Sequence, residues 1–452
     1  MSTYSFVRSV LSAKEGGPLM GEQRLPLDEA HAPGHLPRIV VDTTRRFQTH
    51  LGFGGAFTEA AASVWQQLPQ AARDQLVRDY FDPVHGHGYT LGRVHINSCD
   101  FSLGHYAHVE QADDFALSSF NIERDRRHVL PFIRAAQRVA GRPLQLLASP
   151  WSPPAWMKTN GRMAHGGQLR PECRTVWAQC FVRFIQAYAA EGVPIWGVTV
   201  QNEPAAHQVW DSCLYSAEEE RDFVRDHLGP ALQQAGLAEV RIVVWDHNRD
   251  QMVERARVIY ADPEAARHVW GLGFHWYGPE LFDHVQQVHN AWPDKHLIFT
   301  EGCQEGGPHV GDWAVGERYA RNIINDLNRW TVGWIDWNLL LDERGGPNHV
   351  GNLCNAPVLA DTARGVLMHQ SGYGVLGHFA RYIRPGAQRL LSEAPAGTLA
   401  TAFANTDGGI AVVAANPQDH PLQLTLCIDD TAGLVDLPPR SIATWVASAA
   451  TT

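Results

Sequence analysis

The chain has 452 residues, 44% hydrophobic and 19% charged, with a formal net charge of -11. That length suits one large domain with a smaller one attached, and the apolar share supplies a sizeable core. The acidic balance, without any Lys/Arg-dense stretch, excludes nucleic acid as an expected partner. No run reaches the roughly 18 apolar residues of a membrane span. The first residues show no apolar stretch behind a basic start, so the cytoplasm is the expected compartment. Seven scattered cysteines without a CxxC pair indicate neither a zinc knuckle nor a disulfide framework.

Residues 1–50 contain strand-like Tyr4–Leu11 and Arg38–Asp42, joined by a Gly-, Pro- and His-rich surface connection over 16–37. Chain termini often lie close together, so these strands are expected to join a C-terminal β-domain. From 51 to 380 short apolar runs alternate with longer helical patterns, the rhythm of βα units. The expected strands are Leu51–Phe57, Leu91–Ile96, Leu144–Ser149, Ile195–Gln201, Arg241–Asp246, Gly271–Trp276, His296–Glu301 and Val332–Asn338. Eight strands are what a closed parallel (β/α)8 TIM barrel requires. Between them Pro171–Glu191 and Asp312–Trp330 repeat apolar residues at spacings of three and four. Ser216–Ala235 opens on a capping box, with a kink expected at Gly229-Pro230. Over 381–452 short strands between turns predict an appended antiparallel β-sandwich domain.

In such a barrel, chemistry sits where strands end and βα loops begin. Two glutamates are placed there. Glu203 is expected to end the fourth strand and Glu301 the seventh, on opposite sides of the barrel mouth. Cleaving a glycosidic bond needs such a pair, one group to protonate the leaving oxygen and one to attack or to activate water. A separation of about 5 Å gives retention and a wider one gives inversion, a choice the sequence leaves open. Glu59 is expected to cap the first helix, and Glu305 to be solvated. Fifteen tryptophans divide between core packing and surfaces on which sugar rings stack.

The blocks Gly52-Phe-Gly-Gly-Ala-Phe-Thr-Glu59, Asn97-Ser-Cys-Asp-Phe-Ser102, Leu146-Leu-Ala-Ser-Pro-Trp151, Val200-Gln-Asn-Glu-Pro204, His275-Trp-Tyr277, Thr300-Glu-Gly-Cys303, Gly333-Trp-Ile-Asp-Trp-Asn338 and Gly345-Gly-Pro-Asn348 follow in order. Together they resemble glycoside hydrolase family 30, in its glucosylceramidase-like branch. The resemblance implies a retaining exo-β-glycosidase acting on a terminal glucose of a glycoside or glycolipid, without metal or cofactor. Glu203 is similar to the family's acid/base and Glu301 to its nucleophile. Arg93, at the end of the second strand, matches an arginine beside the nucleophile. Asp100, Trp151, Asn202, His275, Tyr277, Trp337 and Asn348 match substrate-binding positions. The loops after Glu203 (205–216) and Glu301 (302–311) depart from the lysosomal pattern and leave ceramide recognition open. Other branches imply β-xylosides, β-fucosides or β-1,6-glucans as substrates. A non-catalytic carbohydrate-binding protein is the remoter reading. A metal enzyme, suggested by 23 histidines including His85, His87, His105 and His108, lacks an HExxH motif or a comparable ligand spacing.

Overall fold

The computed structural model describes residues 4–28 and 35–449. Eight parallel strands close into a barrel: β1 (Gly52–Ala56), β2 (Leu91–Ile96), β3 (Gln145–Pro150), β4 (Ile195–Thr199), β5 (Arg241–Asn248), β6 (Val269–His275), β7 (His296–Glu301) and β8 (Thr331–Asn338). Each pairs with its neighbour in sequence, and β8 closes on β1 through Gly333 opposite Gly52. Leu91, Leu147, Val243, Ile298, Val332 and Ile335 fill the barrel interior, so the barrel is packed rather than hollow. A second apolar layer under the mouth includes Ala56, Phe101, Trp151 and Trp337.

The helices follow their apolar faces, with two local departures. Ser216 caps Ala217–Phe223 through a complete capping box. The helix then widens into a π-turn over Val224–Leu228 before resuming at Gly229–Gln234. Pro230 has no N–H to donate, and the wider turn lies in the stretch leading up to it. At the first helix, Thr58 and not Glu59 is the cap, its side chain accepting from Ala61 N. The Glu59 carboxylate is instead buried and takes Arg124 Nε at 2.6 Å and Leu103 N at 2.8 Å.

Of the remaining strands, Leu341–Asp342, Val358–Asp361 and Val366–His369 form a small three-stranded sheet, and the others form a ten-stranded sheet that includes both ends of the described chain. Tyr4–Ala13 runs antiparallel to Ser441–Ala449. Arg38–Thr49 pairs antiparallel with Gln388–Glu393 and parallel with Leu422–Ile428, so the sheet is mixed in one place. Residues 29–34, part of the expected surface connection, lie outside the described residues. Barrel and β-domain are joined by polar contacts: His378, on helix Ser371–Ala380, reaches Ser12 Oγ and Thr444 Oγ1, both at 2.9 Å. Among the described residues no helix is long and apolar enough to cross a membrane.

Candidate active site

Glu301 is the last residue of β7. Gly302 lets the chain turn there, since a Cβ at 302 would lie 2.7 Å from both Phe299 and Trp276. Arg93 lies in the middle of β2, not at its end, and is fully buried. Its guanidinium donates to Glu301 Oε2. It also donates to Asp246 Oδ2 at 2.7 Å, Asn202 Oδ1 at 2.9 Å and Ser149 Oγ at 3.0 Å. Tyr277 Oη donates to Glu301 Oε1 at 2.9 Å. Burial, then Cys303 and Glu301, raise the Tyr277 phenol well above its ordinary value, so it stays a donor.

Glu203 does not end a strand. β4 stops at Thr199, and Glu203 stands beyond it in the left-handed region at φ 47. That conformation is costly for a glutamate. It is held by backbone bonds from Glu203 N to Asp246 O (3.0 Å) and from Ala206 N to Glu203 O (2.9 Å). Glu203 Oε1 lies 3.3 Å from His275 Nδ1 and 3.8 Å from His247 Nε2. The facing atoms of Glu203, His275 and Glu301 lie within 4.8 Å of one another. A metal ion there would compete with cations already in place, because Arg93 pairs with Glu301 and His275 bridges Glu203 to Asp246.

Burial is the largest influence on both glutamates. It pushes Glu301 upward, against the pull of His275 and Arg93. On Glu203 it also acts upward, but His247 and His275 outweigh it and hold that carboxyl below its ordinary value. His275 itself is disfavoured as a cation by burial. Glu301 and the hydrogen bonds to Asp246 and Glu203 overcome this and raise it to about 9. Asp246 is lowered: burial opposes its charge, and Arg93 and His275 more than compensate.

The carboxylates open into a cavity of about 310 Å³ lined by Asp100, Trp151, Asn202, Tyr277 and Trp337, among others. Trp151 and Trp337 stack on each other at 5.1 Å and 23°, forming one apolar wall rather than two facing ones. Asp100 Oδ2 accepts from Asn348 Nδ2 at 3.2 Å and Asn352 Nδ2 at 3.1 Å. Burial pushes the Asp100 carboxyl up to about 7, although both asparagines pull it down. Of the expected sugar-contacting residues, His275 and Asn348 stand behind the cavity wall. His275 is fully buried beneath Glu203, and Asn348 Oδ1 receives the backbone N–H groups of Val350 and Asn352. Glu305 is exposed, paired with Arg318 at 2.6 Å, and reaches the rim.

The sequence reading missed Asp246, Asn352, His247 and Trp210. Asp246 offered a signal, being a carboxylate near the end of a barrel strand, the criterion that selected the two glutamates. Asn352 follows Asn348 by four residues in the same Gly/Pro loop. Trp210 lies in the divergent loop after Glu203, and nothing local set it apart from a packed tryptophan.

A parallel barrel whose mouth brings two carboxylates together beside a tryptophan wall and a buried aspartate is the construction of a glycoside hydrolase. Residues 50–383 match the glycosyl hydrolase family 30 TIM-barrel domain and residues 386–445 the family 30 beta sandwich domain. The chain belongs to glycosyl hydrolase family 30. It is 35% identical to the lysosomal acid glucosylceramidase of Mus musculus, over 92% of this chain and 85% of that protein. It is 30% identical to an endo-1,6-beta-D-glucanase of Neurospora crassa, over 90% and 85% respectively. The crystal structure of SrfJ from Salmonella typhimurium superposes with a TM-score of 0.92 at 36% identity, covering 97% of this chain and 98% of that one.

Proposed function

We propose that the protein is a retaining exo-β-glucosidase working by double displacement. Glu301 attacks the anomeric carbon while Glu203 protonates the departing oxygen; Glu203 then takes a proton from the water that releases the sugar. The observation that carries this reading is that one oxygen of each carboxylate lies within 4.8 Å of the other. Retaining enzymes use a separation of about 5–5.5 Å, whereas inverting ones leave room for a water at about 6.5–9.5 Å.

Burial raises Glu301 while His247 and His275 lower Glu203, the reverse of the order the first step needs. Two features support a transfer when substrate enters. Arg93 and Tyr277 already direct donors at both Glu301 oxygens, an arrangement that serves the ionised form. A glycosidic oxygen set against Glu203 gives that carboxyl an acceptor that only its protonated form can satisfy.

Exo action is supported by a cavity at the small end of the range for ligand pockets, suited to one ring rather than several. Asp100 can accept from two adjacent hydroxyls, which disfavours sugars that lack one. At the rim, Val209 (58% exposed) follows pocket-lining Gln208, and Leu353 (37% exposed) lies between pocket-lining Asn352 and Cys354. Apolar groups at the rim suit a lipid aglycone, so a glucosylceramide-like glycolipid is the favoured substrate class. The Neurospora relative favours a second reading, β-1,6-glucan. Seven unpaired thiols fit a reducing compartment such as the cytoplasm.

The test compares glucosylceramide, an aryl β-glucoside and a β-1,6-glucan, following the first-formed sugar by proton NMR. Release of β-glucose from the first two supports the proposal. The α-anomer formed first would overturn retention, and oligosaccharides released from the glucan would overturn exo specificity.

A further inference from the structure

His105 follows β2, Asp211 lies in the loop after β4 and His349 in the loop after β8, and their side-chain ligand atoms lie within 4.8 Å of one another. The double displacement uses none of them. Asp211 is 1% exposed. Its Oδ1 accepts from Ser98 Oγ at 3.0 Å and faces His105 Nδ1 at 3.0 Å. Its Oδ2 is buried without a hydrogen-bond partner among the described residues, and so is His349 Nε2. These two atoms face each other at 3.6 Å, beyond hydrogen-bond range.

The second nitrogen of His349 explains the conflict. His349 Nδ1 lies 3.2 Å from the carbonyl oxygen of Ser102, which can only accept, so Nδ1 carries the ring hydrogen. Nε2 is left with its lone pair directed at a carboxylate oxygen. A cation between them satisfies both.

We propose that His105, Asp211 and His349 bind a divalent transition-metal ion of the zinc type. Two imidazoles and one carboxylate form a zinc ligand set that leaves a fourth position for water. Calcium or magnesium would call for more oxygens. Neighbouring ligands of a tetrahedral ion, each about 2.0–2.2 Å from the metal, stand about 3.4 Å apart. His105 Nδ1 lies 3.0 Å from one Asp211 oxygen and His349 Nε2 3.6 Å from the other, both on the scale of that spacing. The Ser102 carbonyl and the Ser98 hydroxyl orient the ligands from behind, as supporting groups do at zinc sites. The His105 side chain is 47% exposed and leaves a path from solvent.

The sequence reading set His105 beside His108, but His108 pairs with Asp125 at 3.1 Å, and the partners of His105 come from distant loops. The ion would tie those loops to the sugar pocket. Asp211 adjoins Trp210 on the cavity wall. His349 N donates to Asp100 O at 3.3 Å, and Asn348 and Asn352 hold the same aspartate's carboxylate.

The protein, freed of metal with a chelator, is titrated calorimetrically with zinc chloride, and its metal content is measured after gel filtration. One equivalent of zinc per chain is expected, with a thermal midpoint that rises on binding. His105→Gln should weaken binding by at least about 10–100-fold, and Asp211→Asn should abolish that equivalent. The half-exposed His105 ring makes the first variant safe for folding. Undiminished zinc in both variants would assign the ion to other groups, such as the thiols of Cys303 and Cys354. Absence of stoichiometric zinc in the native chain, or equal binding of magnesium, would also overturn the proposal. Every readout is binding, so the outcome stands whatever sugar the enzyme cleaves.

Discussion

Arg93 Nη2 lies 2.7 Å from Asp246 Oδ2, and both side chains are fully buried. The pair is the electrostatic floor of the site. Arg93 also serves Glu301, and Asp246 also accepts from His275 at 2.9 Å and Thr300 Oγ1 at 2.6 Å. One carboxylate therefore balances the cation that supports the proposed nucleophile and orients the imidazole that touches the proposed acid/base.

Removing that carboxylate leaves Arg93 and His275 without their shared partner in a dry interior. Breaking one side of a buried pair costs about 3–5 kcal/mol. Asp246→Ala is expected to lose stability on that scale in a denaturant titration. A loss under about 1 kcal/mol would show that Glu301 alone can balance the guanidinium.

The proposed roles of the two glutamates separate by leaving group. Glu301→Gln should abolish turnover while glucose still binds, because the amide keeps the shape and loses the nucleophile. Glu203→Gln should cost roughly 10²–10⁴-fold on substrates whose leaving oxygen needs a proton. It should cost far less on an aryl glycoside that departs as a phenolate. Steady-state rates on both substrates check this, and equal losses would remove Glu203 from the acid role.

Strands were legible because each barrel strand is a short buried run, and a run such as Val198-Thr-Val200 reads the same whether or not the backbone has left the sheet. That is why Glu203 was placed at a strand end. Its actual position depends on a left-handed residue and on Asp246 O in the next strand, neither of which is a local signal. Asp246 matters through β2, β6 and β7 together, and pairing across strands is set by closure of the barrel. Asn352 shows the converse: the Gly/Pro loop was recognised, but whether Asn348 or Asn352 faces the cavity depends on how the loop folds back on Asp100.

Asp100 links sugar binding to protons. Burial raises its carboxyl to about 7. Sugar hydroxyls donating to it favour the ionised form. Below pH 7, binding of neutral glucose should therefore release a proton, and near pH 8 it should release little. Calorimetry at pH 6 in buffers of different ionisation enthalpy should give different heats for the native protein and similar heats for Asp100→Asn. Buffer-independent heats in the native protein would remove Asp100 from contact with the sugar.

His275 sets the alkaline limit. Its folded value of about 9 lies above the ordinary 6.5, so the folded state holds this proton more tightly than the unfolded chain. The stability it contributes is complete below pH 6.5 and is lost as pH rises from 6.5 through about 9. A shift of that size corresponds to something on the order of 3 kcal/mol. The imidazolium also steadies Glu203 and Asp246, so activity should decline over the same alkaline range. In His275→Gln both dependences should flatten, because the uncharged amide cannot titrate. Thermal midpoints and kcat/KM measured from pH 6 to pH 10 test both. An alkaline limb that persists unchanged in His275→Gln would assign the titration to another group.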